Sequence, residues 1–405
     1  MVYGLIILVV TGGLAMALIN AQRYRVKEPD LKLLRSLFYY HTGLAFVYFL
    51  YAAFNPSDSV LYYLKVLEFQ KGESWFDYFG SGTAFIEFLV YPFIHLFNFT
   101  YEACMALFSF FGFIGFVFFY LFFKENIYFK HTFWGYDLIK LIFFLPNLHF
   151  WSSSLGKGSV IFMGFGVLFF GLNKPVKRWW ALLLGGLIIY YVRPHIMFVV
   201  LASAVIAFAF SSRGLSMAYR ILILIISGIA FAYIYQDVLQ MVGVDETELL
   251  SGSLDFTHRS SELSKATSGV DITNYGLPML LFTFLFRPLF VDAQGILGLI
   301  VSFENVFYLL FFIRIVGGEG IRFLMTADYI TKTAFFSFLT VAVALAQVSG
   351  NLGIAMRQKS QVMILMMFVI LKFMDEQKMM QWKKVQARKR VKAALSAIHD
   401  KTVQA

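Results

Sequence analysis

Between two apolar runs the chain reads Tyr190-Tyr191-Val192-Arg193-Pro194-His195. A guanidinium can grip a phosphate through two parallel hydrogen bonds. An imidazole two residues on can take or give a proton near neutral pH. A second polar break, Trp151-Ser152-Ser153-Ser154-Leu155-Gly156-Lys157-Gly158, sets one lysine between two glycines. Glycines let backbone come close, and exposed N–H groups beside a cation form an anion site. The Gly-x4-Gly-Lys spacing of a phosphate-cradling loop is absent, and a short hairpin with a snorkelling lysine fits the same residues. Asp58 follows the turn Asn55-Pro56-Ser57. Its carboxylate could serve as a general base or cap the helix that begins there. Asp77 is the second acid of the same loop.

Arg287, in Phe286-Arg287-Pro288, interrupts another apolar stretch and needs an anionic partner. Sequence order offers Glu304, as a structural or a functional pair. One or two carboxylates thus stand against four cationic groups, Lys157, Arg193, His195 and Arg287. That set suits a substrate with a lipid tail and a phosphate or diphosphate head. The acid would act on a sugar hydroxyl while the cations hold the departing phosphate. The seven histidines form no His-x3-His or His-Glu-x-x-His unit, and Cys104 is the single cysteine. Neither a metal nor another cofactor is expected, and no internal disulfide.

The elements that must carry these residues are transmembrane. Of 405 residues 59% are hydrophobic and 14% charged, with 49 phenylalanines. Soluble domains carry about 25% charged residues. The mean hydropathy of +0.71 excludes a disordered chain, a coiled coil and a disulfide scaffold. The apolar runs are continuous rather than alternating, which selects an all-α polytopic bundle over a barrel. Runs near the length needed to span lie at 2–19, 37–54, 103–123, 137–151, 159–172, 180–192, 196–210, 220–236, 295–316, 329–349 and 361–375. The first reads as a retained helix rather than a cleaved signal. Two further stretches, 84–99 and 277–291, each hold a proline and a charge: Pro92 with Glu87, and Pro288 with Arg287.

Charge sets the sides. Residues 20–36 hold five Lys/Arg against two acids, and the tail from 372 holds nine against three. With the basic turns at 173–180 and 211–220 they belong in the cytoplasm. The loop 237–275, with seven acids against two bases, and the acidic loop 55–83 belong outside. These assignments agree if 84–99 and 277–291 are re-entrant or interfacial helices. About eleven spans then remain, with the N-terminus outside and the C-terminus inside. If both stretches cross instead, the basic tail is misassigned. The domain division is one membrane domain over 1–375 and a basic cytoplasmic helix over 376–405. The net charge of +10 points to membrane lipids as partners, not nucleic acid.

Asp58-Ser59-x-x-Tyr62 after an early span resembles bacterial polyprenyl-phosphate-dependent glycosyltransferases of the GT-C type. So do the proline-bearing stretch to Asn98, the turn Pro146-x-x-x-Phe150-Trp151-Ser152-Ser153-x-x-x-Lys157, and Arg193-Pro194. The polymerases of O-antigen and exopolysaccharide synthesis look similar. The stretch from Phe286-Arg287-Pro288 to Glu304, and Asn351-Leu352-Gly353 through Arg357 and Lys359, resemble other multi-span proteins of polysaccharide gene clusters. The likeness runs over roughly 50–360 as scattered short motifs. It implies a GT-C-like bundle in the bacterial inner membrane, a site on the periplasmic side, an undecaprenyl-linked sugar donor and no nucleotide-sugar pocket. The outer-loop base of that family maps onto Asp58. The paired Asp-Glu of many relatives and their large soluble C-terminal domain are absent. Two other classes of function fit the same composition. One is a non-enzymatic subunit of an envelope complex with protein partners, and the other is a transporter of lipid-linked glycans.

Overall fold

A computed structural model of the chain describes residues 2–211, a few positions between 217 and 229, residues 269–272 and residues 275–404. Most of the run at 220–236 and of the loop 237–275 lies outside the described residues. What is described is all-α apart from a two-stranded ribbon, β1 (Thr132–Phe133) and β2 (Tyr136–Asp137). Among the described residues six helices are long and apolar enough to cross a membrane. They are α1 (Val2–Ala21), α2 (Glu28–Phe54), α5 (Tyr101–Asn126), α12 (Gly295–Ile315), α14 (Tyr329–Val348) and α15 (Leu352–Gln404). Between them lie shorter helices: α3 (Asp58–Leu67), α4 (Thr83–His95), α6 (Leu138–Phe143), α7 (Pro146–Ser152), α8 (Lys157–Leu172), α9 (Trp179–Val192), α10 (Pro194–Ala209), α11 (Leu277–Phe286) and α13 (Gly318–Thr326).

The run at 137–151 departs from the single helix expected of it. Pro146 has no N–H to donate and holds Leu145 in an extended conformation (φ −64°, ψ 121°), so the run breaks into α6 and α7. No break marks residue 376, because α15 runs unbroken for 53 residues through it.

The centre is built on α5 and α8. Phe108, Phe113, Phe116, Phe119, Phe122 and Phe123 of α5 are fully buried, as are Phe162, Phe165 and Phe169 of α8. The two backbones meet at glycines: a Cβ on Gly166 would stand 2.5 Å from the Gly115 carbonyl oxygen. Between helices in lipid, such contact replaces the hydrophobic drive as the source of association. Against this pair stands α15, buried on every side from Val362 to Leu371. A helix apolar all round must be enclosed. On the outside, α1, α9 and α12 leave Val9, Leu183 and Ile313 open, the face expected toward lipid chains.

Polar contacts collect at the two ends. At one, Lys124 meets Asp30 at 3.1 Å, and Arg178 grips Glu125 through two bonds of 2.6 and 2.9 Å. Asp375 accepts the Tyr128 and Phe129 N–H groups, and Lys332 donates to the Phe210 carbonyl at 2.7 Å. Thus the basic segment 20–36, the turn at 173–180 and the start of the tail share one end, called here the basic end. Asp58, Lys157 and Arg193 lie at the other.

Gly166→Ala is expected to push α5 and α8 apart and to cost about 1–3 kcal/mol, as overpacking of a close contact does. Thermal unfolding in detergent should show the melting point falling by several degrees. Gly13→Ala should leave it unchanged, since its added methyl meets nothing within 4 Å.

Candidate functional site

Asp58 opens α3. Ser57, not Asp58, is the cap: its hydroxyl accepts from the Ser59 N–H, and the chain before it is extended. A run of hydroxyls holds this turn, from Tyr48 to Ser57 (3.0 Å), Ser57 to Ser59 (2.8 Å) and Ser59 to Tyr101 (2.7 Å). The Asp58 carboxylate is thereby left to face the bundle, where Oδ2 accepts from Nη1 of Arg357. Asp77 is spent locally: it accepts from the Ser74 N–H at 2.9 Å and caps a short turn.

Lys157 is placed by its two glycines. A Cβ on Gly158 would stand 2.2 Å from the Trp151 carbonyl oxygen. One on Gly156, whose φ is +156°, would press the Tyr62 ring at 3.2 Å. Ser159 ties the turn by donating toward Ser154 and Gly156 carbonyls at 2.9 and 3.0 Å. The lysine so held lies under the loop before α4, with its ammonium 3.7 Å from where a Gly82 side chain would begin. The Gly82 N–H donates to the Tyr191 carbonyl at 2.7 Å, joining that loop to the end of α9. Arg193 then breaks the chain between α9 and α10. Pro194 takes the first position of α10, where a missing N–H costs nothing.

These pieces form one electrostatic group. Lys157 sits just before the apolar run at 159–172. Burial, with the fields of Arg193 and Arg357, lowers its pKa to about 8, opposed by Asp58 and Glu87. The Arg357 guanidinium also lies 5.8 Å from the Trp151 ring centre. Glu87, fully buried on α4, faces the Lys71 ammonium at 2.5 Å. Asp58, Lys157 and Arg193 therefore belong to one electrostatic group, and Arg357 joins them. His195 is half-buried in the first turn of α10, two residues past Arg193.

Arg287 does not join them. Its expected partner was Glu304, but it pairs with Asp292, five residues away, which also accepts the Leu289 N–H. The Arg287 carbonyl accepts from Lys359 at 2.7 Å. Glu304 instead accepts the Asn147 N–H at 2.7 Å, at the start of α7.

Arg357 and Lys359 are the functional candidates that sequence reasoning passed over. Two cations in a short polar stretch between the apolar residues 352–356 and 362–371 were the available signal. Among the described residues no three His, Cys, Asp or Glu side chains gather as a metal site would need. No protein family matches the chain, and neither a curated protein nor a solved structure is significantly similar to it.

A lysine with a pKa near 8 carries its charge below that pH and loses it above. An anion seated against Lys157, with inorganic phosphate as the probe, should bind roughly tenfold more weakly at pH 9 than at pH 7, the effect of losing one charged hydrogen bond. Lys157→Arg should bind across that range without the step, measured by calorimetry at each pH.

Proposed function

We propose that the chain is a multi-span glycosyltransferase or polysaccharide polymerase of the bacterial inner membrane. It would use a polyprenyl-(di)phosphate-linked sugar on the outer face. The observation that carries this reading is the meeting of Asp58 with Lys157, Arg193 and Arg357 at one end of the bundle. An acid beside three cations divides the labour as glycosyl transfer needs. Asp58 takes the proton of the acceptor hydroxyl, whose oxygen attacks the anomeric carbon. The bond from that carbon to the phosphate oxygen breaks, and the phosphate leaves with the electron pair. Lys157, Arg193 and Arg357 stabilise the charge that develops on it. In this reading His195, two residues past Arg193, returns a proton to the departing phosphate. An arriving phosphate also competes for Arg357, which frees Asp58 for the hydroxyl.

Topology supports the outer face for this site. Gly4 packs against Glu102 at the Asp58 end, so α1 begins there. From α1 the chain alternates ends through α2, α5, the broken pair α6 and α7, α8, α9 and α10. Phe210 lies at the basic end, and Val270, bonded to Gly350, at the other. α12, α14 and α15 alternate again. We read the total as eleven when the apolar run at 220–236, known from the sequence alone, is counted as one crossing, with the N-terminus outside and the basic tail in the cytoplasm. α11 has ten residues, about 15 Å at 1.5 Å per residue, half of a bilayer core. The Pro288 carbonyl after it accepts from Asn305, midway along α12. We read α11 as re-entrant, and α4, packed on α3, as interfacial.

The transporter reading draws on another observation, the burial of Glu304 and Lys359 between helices. Asp58→Asn and Arg193→Ala are expected to lower glycan transfer from a polyprenyl-linked sugar at least a hundredfold, the range of general acid–base catalysis. Protein levels should hold. Mass spectrometry of co-purified lipid should find the polyprenyl-linked sugar. Full transfer by both variants overturns the assignment.

A further inference from the structure

At the basic end a cavity of about 350 Å³ opens between the last turn of α12, the chain leading into β1, and the part of α15 just past Asp375. His131, Arg314, Gln377, Lys378 and Gln381 give it polar walls, and Phe373 and Met374 an apolar floor. Its lining holds two permanent cations and no carboxylate. The nearby acids are occupied: Asp375 accepts from two backbone N–H groups and from His131 at 3.2 Å, and Glu319 accepts from Gln377 at 3.0 Å. Lys378 is steadied at the rim by the Lys130 carbonyl, 2.9 Å away, and Arg314 by the Phe311 ring, 5.3 Å away. Both side chains keep donors for a further acceptor.

The surroundings are those of a lipid. Beside Arg314, the residues Leu310, Ile313 and Val316 are exposed, and Ile321 and Met325 of α13 continue the open apolar surface. Buried Phe323 and open Ile321, Arg322 and Met325 make α13 a short helix suited to lie in an interface. A phosphate seated between Arg314 and Lys378 would leave its acyl chains beside that surface.

We propose that this cavity binds the phosphate of an anionic glycerophospholipid in the inner leaflet. It is separate from the Asp58 site: Lys378 lies 21 residues beyond Arg357 on α15, about 31 Å at 1.5 Å per residue. Basic pockets between helices on the cytoplasmic side recognise lipid headgroups in this way.

The test uses the full chain in nanodiscs of phosphatidylcholine, with and without phosphatidylglycerol. Phosphatidylglycerol should raise the melting temperature and remain bound in native mass spectrometry. Arg314→Ala with Lys378→Ala should remove that rise and weaken retention about 30-fold, the effect of two basic contacts. Both side chains are exposed, so folding in phosphatidylcholine should be unchanged. Lys383→Gln with Lys384→Gln and Arg388→Gln controls for attraction by the tail and should keep the rise. A rise that survives loss of Arg314 and Lys378 but disappears with the tail cations overturns the proposal. A rise produced as well by inorganic phosphate in phosphatidylcholine nanodiscs, and lost in the same double variant, keeps the phosphate site and replaces the lipid as its source.

Discussion

Glu304 and Lys359 are buried among apolar helices, where a charge without partners is costly. Their partners tie four parts of the fold together. Glu304 on α12 accepts the Asn147 N–H, and the Asn147 carboxamide donates to the Met356 carbonyl on α15 at 3.1 Å. Lys359 donates to Asn305 on α12 and to the Arg287 carbonyl, each at 2.7 Å. The start of α7, the turn after α11, and both long helices are thus tied together by two buried polar side chains. The candidate site inherits that rigidity. α7 ends at Ser152 and leads into the Lys157 turn, while Arg357 is two residues before Lys359 on the same helix.

The aromatic spine plays the complementary role. It supplies contact area without direction, and the glycines at 115 and 166 let α5 and α8 approach until their backbones touch. Such packing holds the helices at fixed spacing but would allow several registers. The polar centre and the ion pairs at the basic end remove that freedom. Each buried donor or acceptor has few places to go, so networks of this kind specify one arrangement.

The all-α class was legible because the apolar runs are continuous rather than alternating, and the apolar composition pointed to a membrane. The gathering of Asp58, Lys157 and Arg193 was legible for a related reason: topology did not require those charges where they stood. Arg357 and Lys359 were hidden by the same logic. They lie between the runs at 329–349 and 361–375, and charges in a connection look solvated. In the structure α15 begins at Leu352 and carries both inward. Arg287 was matched to Glu304 because both interrupt apolar stretches. The nearer Asp292 won, since a turn can close a contact over five residues without placing two helices. Asp58 was weighed as a cap, but the serine before it satisfies the same N–H groups and spares the carboxylate.

The pairs of the bundle differ in exposure, and that difference decides what each can do. Lys359 and Glu304 are sealed, so removing a partner leaves a buried polar group unsatisfied. The Asp58 and Arg357 side chains keep 49% and 24% of their surface open. Ion pairs in reach of water are worth about 0–1 kcal/mol. In the proposed function a phosphate displaces Asp58 from Arg357 at little cost, whereas the hydrogen bonds of Glu304 and Lys359 hold α7, α12 and α15 to one another. The fold keeps a rigid polar lock beside an exchangeable pair. A site that, in the proposed function, binds an anion and releases a base in one step needs both.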